Sequence, residues 1–188
     1  MGAVQPEERW SMVAFVTFED LEQELERTLR TETFDAVIHC AAVSDYRTAG
    51  VFAPDTGTRF DPDSSVWKNA DNAPRLVDVA AAKVKSNAPE LWLRLVRTPK
   101  LIDRIRRDWS FRGVLVKFKL EAGVSDERLL EIAEQARQQS AADYLVANTL
   151  EGASSWAFLG PLDGVYERVS RAELPRRLLE AVEQRLHE

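Results

Sequence analysis

The sequence predicts an α/β protein with a mostly parallel sheet, helices on both faces and an antiparallel edge. Three observations carry this. Short apolar runs alternate with helical patterns along most of the chain, the order that builds a parallel sheet with crossover helices. The last two apolar runs, SWAFLG and GVYERVS, are parted only by PLD and its flanking glycines, the mark of an antiparallel pair. The chain has 188 residues, 45% hydrophobic and 30% charged, enough for one domain over 1–188 with its own core.

In order, residues 12–17 (MVAFVT) form a short apolar run read as a first strand. In the following FEDLEQELERTLRT, Leu21, Leu25 and Leu29 share one helical face, with Thr17 and Asp20 as a capping-box start. Residues 35–40 (DAVIHC) read as a strand buried on both faces. Residues 48–72 are rich in Pro, Asp, Gly, Thr and Ser without sustained periodicity, and are expected to form a long, partly ordered excursion. ELWLRLVRT alternates as a strand, setting Trp92, Arg94 and Val96 against Leu91, Leu93 and Leu95. Pro99 suits the first turn of the helix KLIDRIRRDW. GVLVKF (113–118) is the next strand, then a helix capped by Ser125, then the strand DYLVAN (143–148). The C-terminal helix is expected from Ser170, with Glu173 closing a capping box and Pro175 tolerated in the first turn.

Composition excludes several classes. A formal net charge of −6 argues against nucleic acid or an anionic membrane as partner. No stretch reaches the length of apolar residues that spans a bilayer, and MGAVQPEERW lacks the apolar core of a signal. The one cysteine, Cys40, suits a reducing compartment and reads first as a small core residue. The expectation is a soluble, cytoplasmic protein.

No Gly-x-Gly-x-x-Gly and no Walker loop occur among the eight glycines, and the two histidines, His39 and His187, give no multi-histidine metal site. What remains is lysine, carboxylate and backbone chemistry, which suits phosphate and Mg²⁺. The chain uses 19 arginines but only six lysines, all between Lys68 and Lys119; a compact ammonium at chosen positions suits a phosphate. After the strand DAVIHC comes AAVSDYR. There Ala41 and Ala42 let a flat ligand approach the backbone, and Asp45 can accept from a ribose or base or, equally, cap a turn. In AAKVKS, Lys83 and Lys85 project together if extended, either over a polyphosphate or into solvent. Pro99, Lys100, Leu101 and Ile102 open a helix whose amides can hold an anion. Phe118, at the end of its strand, either stacks on a base or packs in the core. Asn148 either binds a ligand or ends its strand.

Read in order, DAVIHCAAVSDYR, AAKVKS, ELWLRLVRTPKLIDRI, GVLVKFKLE and ADYLVANTLEGASSWAFLG resemble the phosphopantothenoylcysteine synthetases, the cysteine-adding ligases of coenzyme A synthesis. The resemblance runs from Phe34 to about Val182. It implies a Rossmann-like fold, a homodimer, and a two-step reaction with CTP or ATP and Mg²⁺. The carboxylate of 4′-phosphopantothenate attacks the nucleotide α-phosphate, releasing pyrophosphate; the amine of cysteine then displaces the nucleoside monophosphate. It further implies nucleotide contacts at His39, Cys40, Ala41, Asp45, Lys85, Pro99, Lys100, Leu101, Ile102 and Phe118. Lys83 is implied as the catalytic lysine at the triphosphate, with Ala42 and Asn148 near the substrate.

Two departures qualify this. The opening MGAVQPEERWSMVAFVTFEDL aligns only with the second part of the family's first region, so the expected fold is N-terminally shortened, without the Gly-rich strand and asparagine loop. The helix after FKLE carries Arg128 and Arg137 but no lysine, which leaves CTP and ATP both open. A flavin-dependent decarboxylase fused upstream is the further partner the resemblance suggests. A non-catalytic nucleotide-binding module and a Rossmann-like oxidoreductase are the competing expectations.

Overall fold

The computed structural model describes residues 10–80 and 88–188. The backbone divides into two compact units: Met1–Val43 with Lys100–Glu188, and Ser44–Pro99 between them in sequence.

The first unit is built on a five-stranded sheet of β1 (Ala36–His39), β7 (Val114–Glu121), β8 (Tyr144–Thr149), β9 (Trp156–Leu162) and β10 (Val165–Ser170), in that spatial order. β1, β7 and β8 are parallel, and β9 and β10 form the antiparallel edge, as the sequence led us to expect. Period-2 alternation along β7 and β8 gives each face its own core. Val114, Val116, Tyr144 and Val146 pack under Leu174, Leu178, Ala181 and Val182 of α4 (Leu174–Leu186). On the opposite face Leu115 packs with Leu101, Ile102 and Ile105 of α2 (Leu101–Arg107), and Leu21, Leu25 and Leu29 of α1 (Phe18–Thr31) border that cluster. Leu145 and Ala147, also on that face, receive Leu129 and Ala133 of α3 (Asp126–Gln139). The result is helix, sheet, helix.

Local signals account for the starts of α1 and α3. Thr17 and Asp20 form the reciprocal capping box expected for α1, and the Ser125 hydroxyl accepts from the Arg128 amide to start α3. α4 begins at Leu174, four residues after the expected start. Ser170 still accepts from the Glu173 amide at 3.3 Å, but within the turn that precedes the helix, and Pro175 falls in the first turn. Pro99 lies before the cap Lys100 rather than inside α2, because a residue preceding the cap needs no helical amide.

Several expectations change. Residues 10–16 form no strand: Trp10, Met12, Val13, Phe15 and Val16 are exposed, and an extended run without a ladder partner gains nothing from its β propensity. β1 is not buried on both faces. It pairs only with β7 among the described residues, and Ile38 is 39% exposed. Cys40 is exposed rather than a core residue, since the chain has already left the sheet at His39.

The second unit replaces the expected excursion with antiparallel structure. β2 (Tyr46–Pro54) lies between β5 (Leu76–Asp78) and β6 (Trp92–Arg97), while β3 (Thr58–Asp61) and β4 (Val66–Asn69) form a hairpin. Thus β6 pairs with β2 and does not join the parallel sheet. Its inner side chain Trp92 packs on Phe60 and Trp67, with ring centroids 4.8 and 4.6 Å away, whereas Leu91, Leu93 and Leu95 are exposed.

Leu115 is fully buried, so Leu115→Ala is expected to cost about 2–5 kcal/mol. Leu21→Ala, on the half-covered helix α1, should cost clearly less. Urea unfolding of both variants measures the difference.

Candidate functional site

Parallel pairing brings the carboxyl ends of β1, β7 and β8 to one rim. The ends are staggered: β1 stops at His39, opposite Lys117, while β7 and β8 continue together to Glu121 and Thr149. Phe118, Lys119, Leu120 and Glu121 therefore run past the end of β1 as a ledge, a placement typical of ligand sites in open α/β sheets.

His39 is half-buried at this rim, and Ala41 and Ala42 follow it in an exposed exit. The His39 imidazole is held below its ordinary value of 6.5, first by burial and then by the nearby Lys117 ammonium. Phe118 lies in mid-strand rather than at the strand's end, because β7 runs three residues further than its apolar run. Its ring borders the core beneath α4. Asn148 is the penultimate residue of β8 and half-buried. Lys119 forms an ion pair with Glu121 at 2.7 Å. In α2, Lys100 is exposed, while Leu101 and Ile102 are 3% and 7% exposed and belong to the core. Any ligand contact by these two is thus a backbone contact.

Asp45 belongs to the second unit, exposed just ahead of β2; its carbonyl accepts from the Thr98 amide at 3.0 Å. Lys83 and Lys85 lie outside the described residues. The first unit therefore gathers His39, Cys40, Ala41, Ala42, Lys100, Phe118 and Asn148 around the ends of its parallel strands.

Sequence reasoning missed Lys117. It is 6% exposed, on the same face as Leu115, and its Nζ donates to the Ala136 carbonyl at 2.8 Å and to the Ser140 hydroxyl. Asp103 stands 3.8 Å from the ammonium and accepts from Ser140 at 2.6 Å and from Gln139 at 2.9 Å. Burial pulls the lysine below its ordinary value and Asp103 opposes the shift. The available signal was a lysine standing where the alternation of VLVKF requires an apolar residue.

Two cavities are described, and neither is lined by these residues. One of about 350 Å³ opens at the amino end of β8, among Arg137, Asp143, Tyr144 and Arg185. The other, of about 530 Å³, is in the second unit beside Arg59, Phe60 and Pro89.

The family model for the DNA/pantothenate metabolism flavoprotein C-terminal domain matches residues 68–161, half of the chain. The chain belongs to this family. It is 32% identical over 176 residues to the coenzyme A biosynthesis bifunctional protein CoaBC of Thermococcus kodakarensis, covering 90% of this chain and 36% of that protein. The chain thus spans about a third of the curated relative. Its fold resembles the crystal structure of the DNA/pantothenate metabolism flavoprotein from Streptococcus pneumoniae, with a TM-score of 0.67, 23% identity, and coverage of 90% of this chain and 71% of that one. It also resembles the C-terminal domain of CoaBC, with a TM-score of 0.57, 17% identity, and coverage of 93% and 65%. A mutant of Cab2 in complex with phosphopantothenate-cysteine gives a TM-score of 0.57 at 18% identity, covering 95% of this chain and 56% of that one. The expected Rossmann-like family fold is therefore present.

A half-buried imidazole with a lowered pKa makes the fold sensitive to mild acid. The unfolded chain takes up a proton at His39 near pH 6.5, and the folded chain only at lower pH, so stability is lost as pH falls below about 6.5. Denaturant midpoints between pH 5 and 8 should decline on the acid side in the wild type and decline less in His39→Gln.

Proposed function

We propose that residues 1–188 act as a phosphopantothenate–cysteine ligase domain of coenzyme A synthesis. The 32% identity to CoaBC over 90% of the chain is the observation that carries this reading, and the ordered motifs support it. In the first step a carboxylate oxygen of 4′-phosphopantothenate bonds to the α-phosphorus of CTP or ATP as the bond to the bridging oxygen breaks and pyrophosphate leaves. In the second the amine of cysteine attacks the acyl carbon, the nucleoside monophosphate leaves, and the amine proton passes to solvent.

The rim supports a nucleotide in chemical terms. Small residues Ala41 and Ala42 leave its backbone accessible, His39 offers a hydrogen-bonding ring, and Lys100 adds positive charge; Cys40, Pro99, Leu101 and Ile102 contribute backbone, and Phe118 a flat apolar surface. Lys83 is assigned the catalytic role, an ammonium against charge developing on the phosphates, with Lys85 as a second cation and Asp45 as acceptor. Asn148 is assigned to the pantothenate side. Mg²⁺ enters with the nucleotide, its ligands being phosphate oxygens and water. Among the described residues, no group of three or more His, Cys, Asp or Glu side chains is placed to hold a metal, and no helix is long and apolar enough to cross a membrane. The reading places the protein in the cytoplasm, with a flavin-dependent decarboxylase as its natural functional neighbour. The exposed leucines of the second unit, Leu91, Leu93 and Leu95, on and just before β6, support a homodimer, because exposed apolar side chains of this kind gain by burial against a second copy.

Incubation with 4′-phosphopantothenate, cysteine, Mg²⁺ and either nucleotide should release pyrophosphate. Nucleotide binding without release makes the chain a non-catalytic module, and a response to NAD(P) alone makes it an oxidoreductase. Lys83→Ala should weaken nucleotide affinity by about tenfold or more, as loss of a charge-assisted bond requires, with its unfolding midpoint unchanged; calorimetric titration decides. Leu93→Asp should shift the protein from dimer to monomer in sedimentation equilibrium.

A further inference from the structure

The buried ammonium of Lys117 is explained neither by the core nor by the ligase reading. It occupies a β-strand position flanked by apolar residues, and its nearest carboxylate, Asp103, is 3.8 Å away, beyond hydrogen-bond distance. Instead, the Ala136 carbonyl and the Ser140 hydroxyl at the end of α3 hold the Nζ, and Ser140 passes the connection to Asp103 in the first turn of α2. One cation thereby ties β7 to two helices. Across the parallel ladder its Cα partner is His39, and paired residues project on the same face. His39 is also the last residue of β1.

We propose that Lys117 is a positioning residue for His39: its ammonium, fixed from α2 and α3, sets the charge beside the imidazole so that His39 meets a ligand as a hydrogen-bond acceptor. The matching chemistry is a nucleoside hydroxyl or exocyclic amine, which has a proton to donate; the proposal rests on the nucleotide reading above. An imidazolium has no acceptor nitrogen, so a fixed cation next to the ring preserves the acceptor. The surroundings reinforce this. Lys119 on β7 and Lys100 at the start of α2 add positive charge around Lys117, and Asp103 partly offsets it. From α3 the facing groups are Ser140 and, through Asp103, Gln139. α1 borders the same cluster, and its Glu22 is engaged by Arg104.

The chain has only His39 and His187, so ring-proton NMR titration of the full chain follows His39 directly, with His187→Gln to assign the signals. Lys117→Met should raise the His39 midpoint and Asp103→Asn should lower it further. A purely structural role predicts no such opposite pair. Burial, the larger cause of the shift, persists in Lys117→Met, so its midpoint should rise without reaching the ordinary 6.5. Binding of Mg–CTP or Mg–ATP should then be weakened at pH 6 relative to pH 8 more than in the wild type and by less than about fourfold, the value a midpoint of 6.5 would give, because affinity scales with the competent fraction. Lys117→Arg, which keeps the charge, should restore the wild-type ratio. An unmoved or lowered midpoint in Lys117→Met overturns the proposal. Should that variant fail to fold, Asp103→Asn, altering a part-exposed carboxylate, decides by itself: an unmoved or raised midpoint overturns it. Nucleotide binding with a pH ratio that ignores His39 overturns the acceptor role alone. No binding of either nucleotide to the wild type overturns the reading beneath it, whatever the titrations show.

Discussion

The parallel ladder from β1 through β7 to β8 is the constraint on which core and rim both depend. Its register sets Val37 opposite Leu115 and His39 opposite Lys117, so the run that buries Leu115 also delivers Lys117 beneath the rim. A one-residue slip of β7 would reverse every side chain, moving Val114 and Val116 away from α4 and Lys117 into that apolar layer. Core packing on both faces therefore fixes the position of the polar groups at the carboxyl end. The same ladder explains the ledge: β7 and β8 hold each other to Glu121 and Thr149 after β1 has ended.

Charge is arranged differently at the two ends of this sheet. At the amino end Asp143 accepts from Arg106 and from the Leu115 amide, and Arg185 lies 3.9 Å away. Arg106 and Arg185 both face that carboxylate, which is the arrangement expected of a structural brace. At the carboxyl end Lys119 pairs with Glu121, while Lys100 and Lys117 are offset only in part by Asp103, and His39 stands beside them with its pKa lowered. An excess of positive charge at the strand ends suits an anionic ligand there, and the paired network at the opposite end does not.

The first unit was largely legible in the sequence because its signals are local. The Thr17 and Ser125 caps, the alternation of VLVKF and YLVANT, and the tight PLD connection each specify their own element. The second unit was not legible. Thr48 to Asn72 lacks sustained periodicity because β3 and β4 are four residues each, too short for a period to register, and their stability comes from Phe60, Trp67 and Trp92 meeting across sequence. The alternation of WLRLVR gives the two faces of β6 correctly, yet period alone cannot name a partner strand, and most of β2 lies within the 48–72 stretch expected as an excursion. Residues 12–17 show the converse: strong β propensity yields no strand where no ladder partner is present. Among the site residues, Leu101 and Ile102 matched a motif but spend their side chains on the core, and only their backbone remains for a ligand.

Lys117 went unseen because reading a pattern treats a charged residue in an apolar strand as an interruption. Physically it is more informative than its neighbours. Burying an ammonium is costly, and a well-packed apolar side chain at such a site is commonly neutral or stabilising by comparison. Methionine would fill similar space without that penalty. The hydrogen bonds that Lys117 donates to Ala136 and Ser140 offset part of the cost but do not require a charge; a neutral donor would satisfy both. What a neutral side chain cannot supply is a permanent positive field one strand away from His39. That field reaches Asp103 as well as His39, and on the proposal above it is its effect at His39 that accounts for the stability given up at Lys117.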